Sequence, residues 1–229
     1  MKRVKHVGLL ALAAALAVSL TACGGSGLSK DDAVTYVTGV IEENWLGDAS
    51  EEFKKLVDKT DEEVRAAYEA SMDSEAEYFI SNYAVEYPTD ALREELRELY
   101  KEICGHTKFE VVSAAGQDDG SFSVKVTVYP IDIAHLAEEE LAAALEPWRE
   151  KYPAEEQDGM SEEERKAADA ERARIILDTF RSKLPETDNL YAKSTAVQLE
   201  RNSDGYYAIT SDDLSRLSAM IIDYPPREE

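Results

Sequence analysis

The sequence predicts an α+β fold: a helical N-terminal half, then a four-stranded antiparallel sheet made of two hairpins. Three observations point there. Apolar residues recur at three- and four-residue spacing from Ala33 to Ile103, the spacing changes to two at His106, and an Asp-Gly turn sits within each alternating stretch. A helical hairpin over 133–184 interrupts the two strand pairs, and a short helix closes the chain.

Ser29-Lys30-Asp31-Asp32 opens the first helix with a hydroxyl cap and acids in its first turn. Its stripe is Ala33, Val37, Val40, Ile41 and Trp45, and Gly47 stops it. Ser50 to Val57 reads as a short second helix with Phe53, Leu56 and Val57 inward. Thr60-Asp61-Glu62-Glu63 is a capping box, and the third helix carries Val64, Tyr68, Met72, Ala76, Phe79, Ile80 and Tyr83. Pro88-Thr89 starts a fourth, with Leu92, Leu96, Leu99, Tyr100 and Ile103 buried, and Gly105 ends it.

The first strand places Phe109, Val111 and Ser113 on one side. Asp118-Asp119-Gly120 turns the chain into a second strand, where Phe122, Val124, Val126 and Val128 point one way and Ser123, Lys125, Thr127 and Tyr129 the other. In the excursion, Leu141, Leu145, Trp148 and Tyr152 form a stripe that Pro147 kinks or ends. An acidic loop over 153–159 leads to the capping box Ser161-Glu162-Glu163-Glu164 and a long helix with Ala173, Ile176, Leu177, Phe180 and Leu184 inward. The second strand pair runs from Tyr191 to Arg201 and from Tyr206 to Ile209 around Asn202-Ser203-Asp204-Gly205. A last helix from Ser211 to Ile222 buries Leu214, Leu217 and Ile221, and Tyr224-Pro225-Pro226 is expected to be loose.

Ahead of all this, Lys2, Arg3 and Lys5 precede a 16-residue run from Val7 to Ala22 with no charge. That run is shorter than the roughly 20 residues of a spanning helix, and with its basic start it reads as a secretory signal. Gly24-Gly25-Ser26-Gly27 then opens a tether to about Ser29, whose coil spans roughly 13–15 Å. The expected organisation is a cleaved signal over 1–22, Cys23 and its tether over 23–29, one α+β domain over 30–224 and a tail over 225–229.

The chain carries a formal charge of −23, and removing residues 1–22 takes away three basic residues and no acid, leaving 207 residues at −26. Such a surface repels polyanions, so no nucleic-acid partner is expected, and anionic headgroups would not hold it either. Cys104 is the one cysteine besides Cys23, which excludes an internal disulfide once Cys23 is modified.

Chemistry is sparse. Acidic runs such as Glu138-Glu139-Glu140 and Glu162-Glu163-Glu164 look like solvated helix faces, and no sequence rule nominates a catalytic pair among them. Only His106 and His135 follow the signal, without a His-Glu-x-x-His pattern, and Asp118-Asp119-Gly120 lacks the alternating acids of a calcium loop. No phosphate loop, dinucleotide fingerprint or nucleophile elbow is present. No metal ligand, catalytic residue or cofactor is nominated. Trp45 and Trp148 fall on apolar stripes and belong to the core, whereas Tyr129, Tyr206 and Tyr207 are candidates for the surface. The outer sheet face carries Ser123, Lys125, Thr127, Ser194, Gln198 and Glu200. Lys125, Thr127, Gln198 and Tyr207 are the candidate ligand contacts.

Leu20-Thr21-Ala22-Cys23 resembles the bacterial lipoprotein box, an aliphatic residue and two small ones before a cysteine. The resemblance implies cleavage after Ala22, diacylglycerol in thioether linkage at Cys23, and a membrane held through acyl chains, of which two suffice for stable anchoring. From residue 20 to 222 the chain resembles surface lipoproteins of Gram-positive bacteria. The shared features are the box, the helical first half, the strand Phe122 to Val128 running into Tyr129-Pro130-Ile131-Asp132, and the closing Gly205-Tyr206-Tyr207-Ala208-Ile209. That group implies no activity, and a cystatin-like or NTF2-like sheet is one fold compatible with the pattern. Three functions remain: a non-enzymatic binding or accessory domain at the outer side of the cell membrane, with an unknown small ligand or envelope protein as partner; an envelope hydrolase using carboxylates or a Cys104–His106 pair; and a structural or envelope-stress interaction protein.

Overall fold

The computed structural model describes residues 27–201 and 206–225. Helices α1 (Lys30–Ile41), α2 (Glu51–Val57), α3 (Asp61–Asn82) and α4 (Asp90–Cys104) fill the first half. Strands β1 (Lys108–Gly116) and β2 (Phe122–Tyr129) follow. Then come α5 (Ile133–Ala144), α6 (Glu146–Lys151), α7 (Ala154–Gln157) and α8 (Glu162–Lys183), before β3 (Lys193–Arg201), β4 (Tyr207–Ile209) and α9 (Ser211–Ile221). The strands form one sheet in the order β1-β2-β3-β4, so the helical excursion is inserted within an otherwise sequential antiparallel sheet. Helical first half, sheet, insertion and closing helix all match the α+β expectation.

The caps read from sequence form as hydrogen bonds. Ser29 accepts from the Asp32 N–H while Asp32 accepts from the Ser29 N–H, and Ser161 and Glu164 repeat the exchange at α8. Ser50, Thr60 and Thr89 cap α2, α3 and α4 in turn. Each satisfies an amide that a helix start would leave without a partner.

The chain divides into two compact units. Of the described residues, one holds 27–74, 109–128 and 192–220; the other holds 75–108, 129–191 and 221–225. In the first unit α1 ends in a π-helical turn, Glu42–Leu46, which the periodicity did not reveal. Within it Trp45 is fully buried, Asn44 donates to the Val40 carbonyl at 2.7 Å, and Ser71 donates to Asn44 Oδ1 at 2.7 Å. Gly47 closes the turn at φ 68°, with the Tyr68 ring 2.8 Å from where a Cβ would stand, so both backbone and space demand glycine. The apolar sheet face is Phe122, Val124, Val126, Val128, Val197 and Leu199, all under a tenth exposed. Along β1 the alternation slips after Val111: Ser113, expected inward, is exposed, and Ala114 is half-buried.

In the second unit Phe79, Tyr83 and Phe180 pack ring against ring, with centroids 4.7–5.7 Å apart. Asp169 and Arg172 on α8 clamp the segment after α3. Asp169 accepts from the amides of Glu86 and Tyr87, and Arg172 donates to the carbonyls of Tyr83 and Ala84. Two expectations are corrected here, at 153–159 and at Trp148, and one is met. The stretch 153–159 contains a short helix, α7. As expected, the helix is interrupted at Pro147: α5 ends at Ala144, and Pro147 sits in the first turn of α6, where its missing N–H costs nothing. Trp148 is half-buried, not core; its indole N–H donates to the Ala168 carbonyl at 2.8 Å.

The tail expectation also changes at Tyr224. Ile131 donates to the Ile221 carbonyl and accepts from the Asp223 amide, a parallel bridge that delivers Tyr224 against Tyr78 with ring centroids 4.9 Å apart. The ring contact and the bridge hold Tyr224 in place, while Pro226 lies outside the described residues.

Candidate functional site

Three of the four candidate contacts share the outer face of the sheet. Antiparallel register sets Ser123 against Gln198, Lys125 against Ala196 and Thr127 against Ser194. Thr127 and Ser194 hydroxyls lie 2.9 Å apart; Gln198 Nε2 donates to Ser123 Oγ at 3.3 Å, and Gln117 Nε2 donates to Gln198 Oε1 at 2.8 Å. The result is a cross-strand polar ladder in which the side-chain amides and hydroxyls largely satisfy each other, with Lys125 exposed beside small Ala196. Such a face offers donors and acceptors but no enclosure.

Tyr207 does not join them. It pairs with Arg201 across β3 and β4, is 9% exposed, lies against Phe122 in a tilted ring contact with centroids 6.0 Å apart, and donates to the Gly120 carbonyl at 3.2 Å. Of the adjacent pair Tyr206 and Tyr207, period two sends Tyr207 inward, where its ring covers the end of the apolar face. The surface expectation for Tyr207 is therefore corrected.

Beyond the three-residue β4, the open edge of β3 is closed by α9. Asp213, nearly fully buried, accepts from the Gln198 amide at 2.6 Å and pairs with Arg216, whose guanidinium also donates to the Ala196 carbonyl at 3.4 Å. Composition does not distinguish Asp213 from its exposed neighbour Asp212. Only its position one turn into a helix start (the Thr210 hydroxyl accepts from its amide) gave a faint signal.

The thiol chemistry does not assemble. Cys104 is fully buried, and burial followed by the nearby Glu75 charge pushes its thiol well above the ordinary range, while His106 is exposed. A nucleophilic thiolate needs the opposite environment. Three buried acids are engaged in holding the fold. Glu43 is 0% exposed and ion-paired with Lys59, Asp169 caps the segment after α3, and Asp213 caps β3. Burial raises the Glu43 carboxyl, only partly opposed by Lys59, and one of its oxygens has no hydrogen-bond partner among the described residues. Among the described residues no three His, Cys, Asp or Glu side chains converge to hold a metal ion. A shallow hollow bordered by Lys151, Tyr152, Met160 and Glu164 is open to solvent and brings together no reactive groups. Cys23 lies outside the described residues.

No family model matches the chain, and no curated protein matches it. Its fold is similar to that of a "putative lipoprotein (ycdA)" from Bacillus subtilis subsp. subtilis str. 168, with a TM-score of 0.55 and 14% identity. The similarity covers 85% of this chain and 56% of that one, so this chain spans little more than half the length of its structural neighbour. At that identity the likeness shows the fold alone. No helix among the described residues is long and apolar enough to cross a membrane.

Proposed function

We propose that the protein is an extracytoplasmic lipoprotein, cleaved after Ala22 and anchored in the cell membrane by acyl chains on Cys23. There it acts as a non-enzymatic binding or accessory domain. The observation that carries this is the box Leu20-Thr21-Ala22-Cys23 at the end of a basic-then-apolar leader. The lipoprotein designation of its structural neighbour supports it. So does a charge of −23, which would not bind anionic headgroups and so requires a lipid anchor if the domain is to stay at a membrane. The binding role draws support from the polar sheet face, where Lys125, Thr127 and Gln198 present donors and acceptors together.

The test is metabolic labelling with an alkynyl palmitate in a bacterial host, comparing the wild-type chain with Cys23→Ala. The reading predicts a labelled, membrane-fractionated wild type and an unlabelled variant. Equal labelling of the two, or none in either, refutes it.

A further inference from the structure

Strand β1 is an outer strand of the sheet: it pairs with β2 on one side, and no strand among the described residues lies on its other side. It is nine residues long, where natural edges are usually short, charged, interrupted by proline or covered. After Lys108 and Glu110, the stretch Val111 to Gly116 holds no charge and no proline. Val112 is 51% exposed. On the opposite side Phe109 and Val111 are only half-buried, although the apolar residues of β2 are under a tenth exposed. The same sheet shows what a protected edge looks like: beyond β4, Asp213 and Arg216 occupy the backbone groups of Gln198 and Ala196 on β3. One edge is closed by side chains of α9. The other is left long, and from Val111 to Gly116 it carries no charge.

We propose that the β1 edge takes up an extended segment of another protein as a fifth strand, a segment whose side chains include Lys or Arg. The unpaired amides and carbonyls of an edge are complementary to a strand and to no other backbone conformation. The half-buried residues Phe109 and Val111 would gain cover from alternate side chains of the incoming strand. Charge selects the occupant. At −23 the chain attracts a basic segment and repels a second copy of itself, and Asp118 and Asp119 place acids at the turn that follows the strand. This deepens the binding role proposed above and is independent of the lipid anchor, so either can fail without the other.

The probe is a fluorescent ten-residue peptide alternating Lys with Val, titrated into the full-length chain purified in mild detergent. Its control is the same peptide N-methylated at alternate residues along one edge. Saturable binding is expected, weakened about tenfold or more by N-methylation, and weakened again by high salt as screening removes the charge attraction. Val112→Lys, at an exposed position, should lower affinity by about tenfold through like-charge repulsion with an unchanged melting temperature. Ala114→Pro should abolish binding, with circular dichroism reporting whether the sheet persists. Absence of saturable peptide binding to the wild type, or equal affinity for the N-methylated peptide, overturns the proposal. So does a concentration-dependent dimer whose formation Val112→Lys prevents while peptide binding is unaffected.

Discussion

The hydroxyls of Tyr100 and Tyr224 lie 2.6 Å apart, which ties the end of the described chain to the last turns of α4. Burial pushes both phenols well above their ordinary pKa, so the pair stays neutral across the usable pH range. Tyr224→Phe leaves the buried Tyr100 hydroxyl without this partner and should cost about 1–2 kcal/mol in denaturant unfolding. Tyr100→Phe combined with Tyr224→Phe should recover most of that, because an apolar pair of the same shape leaves no group unsatisfied. A double variant weaker than either single one would show that the hydroxyl pair is not the source of the effect.

Glu43 and Lys59 give a prediction with a pH signature. Lys59 is the ion-pair partner of a carboxylate with no solvent exposure, so Lys59→Met should destabilise by about 3 kcal/mol at neutral pH. Burial raises the folded-state pKa of Glu43 above its unfolded value. For an acid shifted that way, the desolvation penalty is fully present above the folded pKa and disappears as pH falls below the unfolded one. The deficit of Lys59→Met should therefore shrink on acidification. Adding Glu43→Gln should restore part of it at pH 7.

Glu95 shifts the opposite way. Hydrogen bonds from Arg174 first, then the Arg181 guanidinium, hold its carboxyl down to about 2. Its stabilisation is present above the unfolded pKa of the carboxyl and is lost as pH falls toward 2. Glu95 is about one-third exposed, so solvent screening leaves about 1 kcal/mol of it. Glu95→Gln should lower stability by that amount at pH 7 and flatten the acid limb of the stability curve. Unchanged pH dependence between pH 5 and pH 2 would contradict the account.

Gly39 on α1 faces the Phe53 ring so closely that an added Cβ would stand 2.0 Å from the ring carbon Cγ. Alanine favours helix by about 0.5–1 kcal/mol over glycine, yet overpacking costs about 1–3 kcal/mol. The clash with an aromatic ring wins, and Gly39→Ala should lower the melting temperature. Adding Phe53→Leu should relieve part of the loss.

What the sequence disclosed and what it hid follow from the range of the interactions. Caps at Ser29, Thr60 and Ser161 and the turn at Asp118-Asp119-Gly120 are written within three or four residues, and all formed as read. The π-helical turn at Glu42–Leu46 was invisible, since its Asn44 is held by Ser71, 27 residues away. Tyr224 was misread as part of a loose tail because its partners, Tyr78 and Tyr100, lie more than a hundred residues upstream. Lys125, Thr127 and Gln198 were correctly assigned to one face, because period two fixes faces once a strand is recognised. An adjacent pair such as Tyr206 and Tyr207 sends one ring to each face, and sequence alone does not say which; Tyr207 is the one that turns inward. The structural acids Asp169 and Asp213 were indistinguishable from the many solvated ones around them.

The most direct test of the central claim is the intact mass of the mature N-terminal peptide, isolated from membranes of an expressing bacterium. The account predicts a chain beginning at Cys23 and carrying a diacylglyceryl thioether, with Cys23→Ala retaining its leader or leaving the membrane. A wild-type chain that begins elsewhere, or that begins at Cys23 with an unmodified thiol, would contradict it.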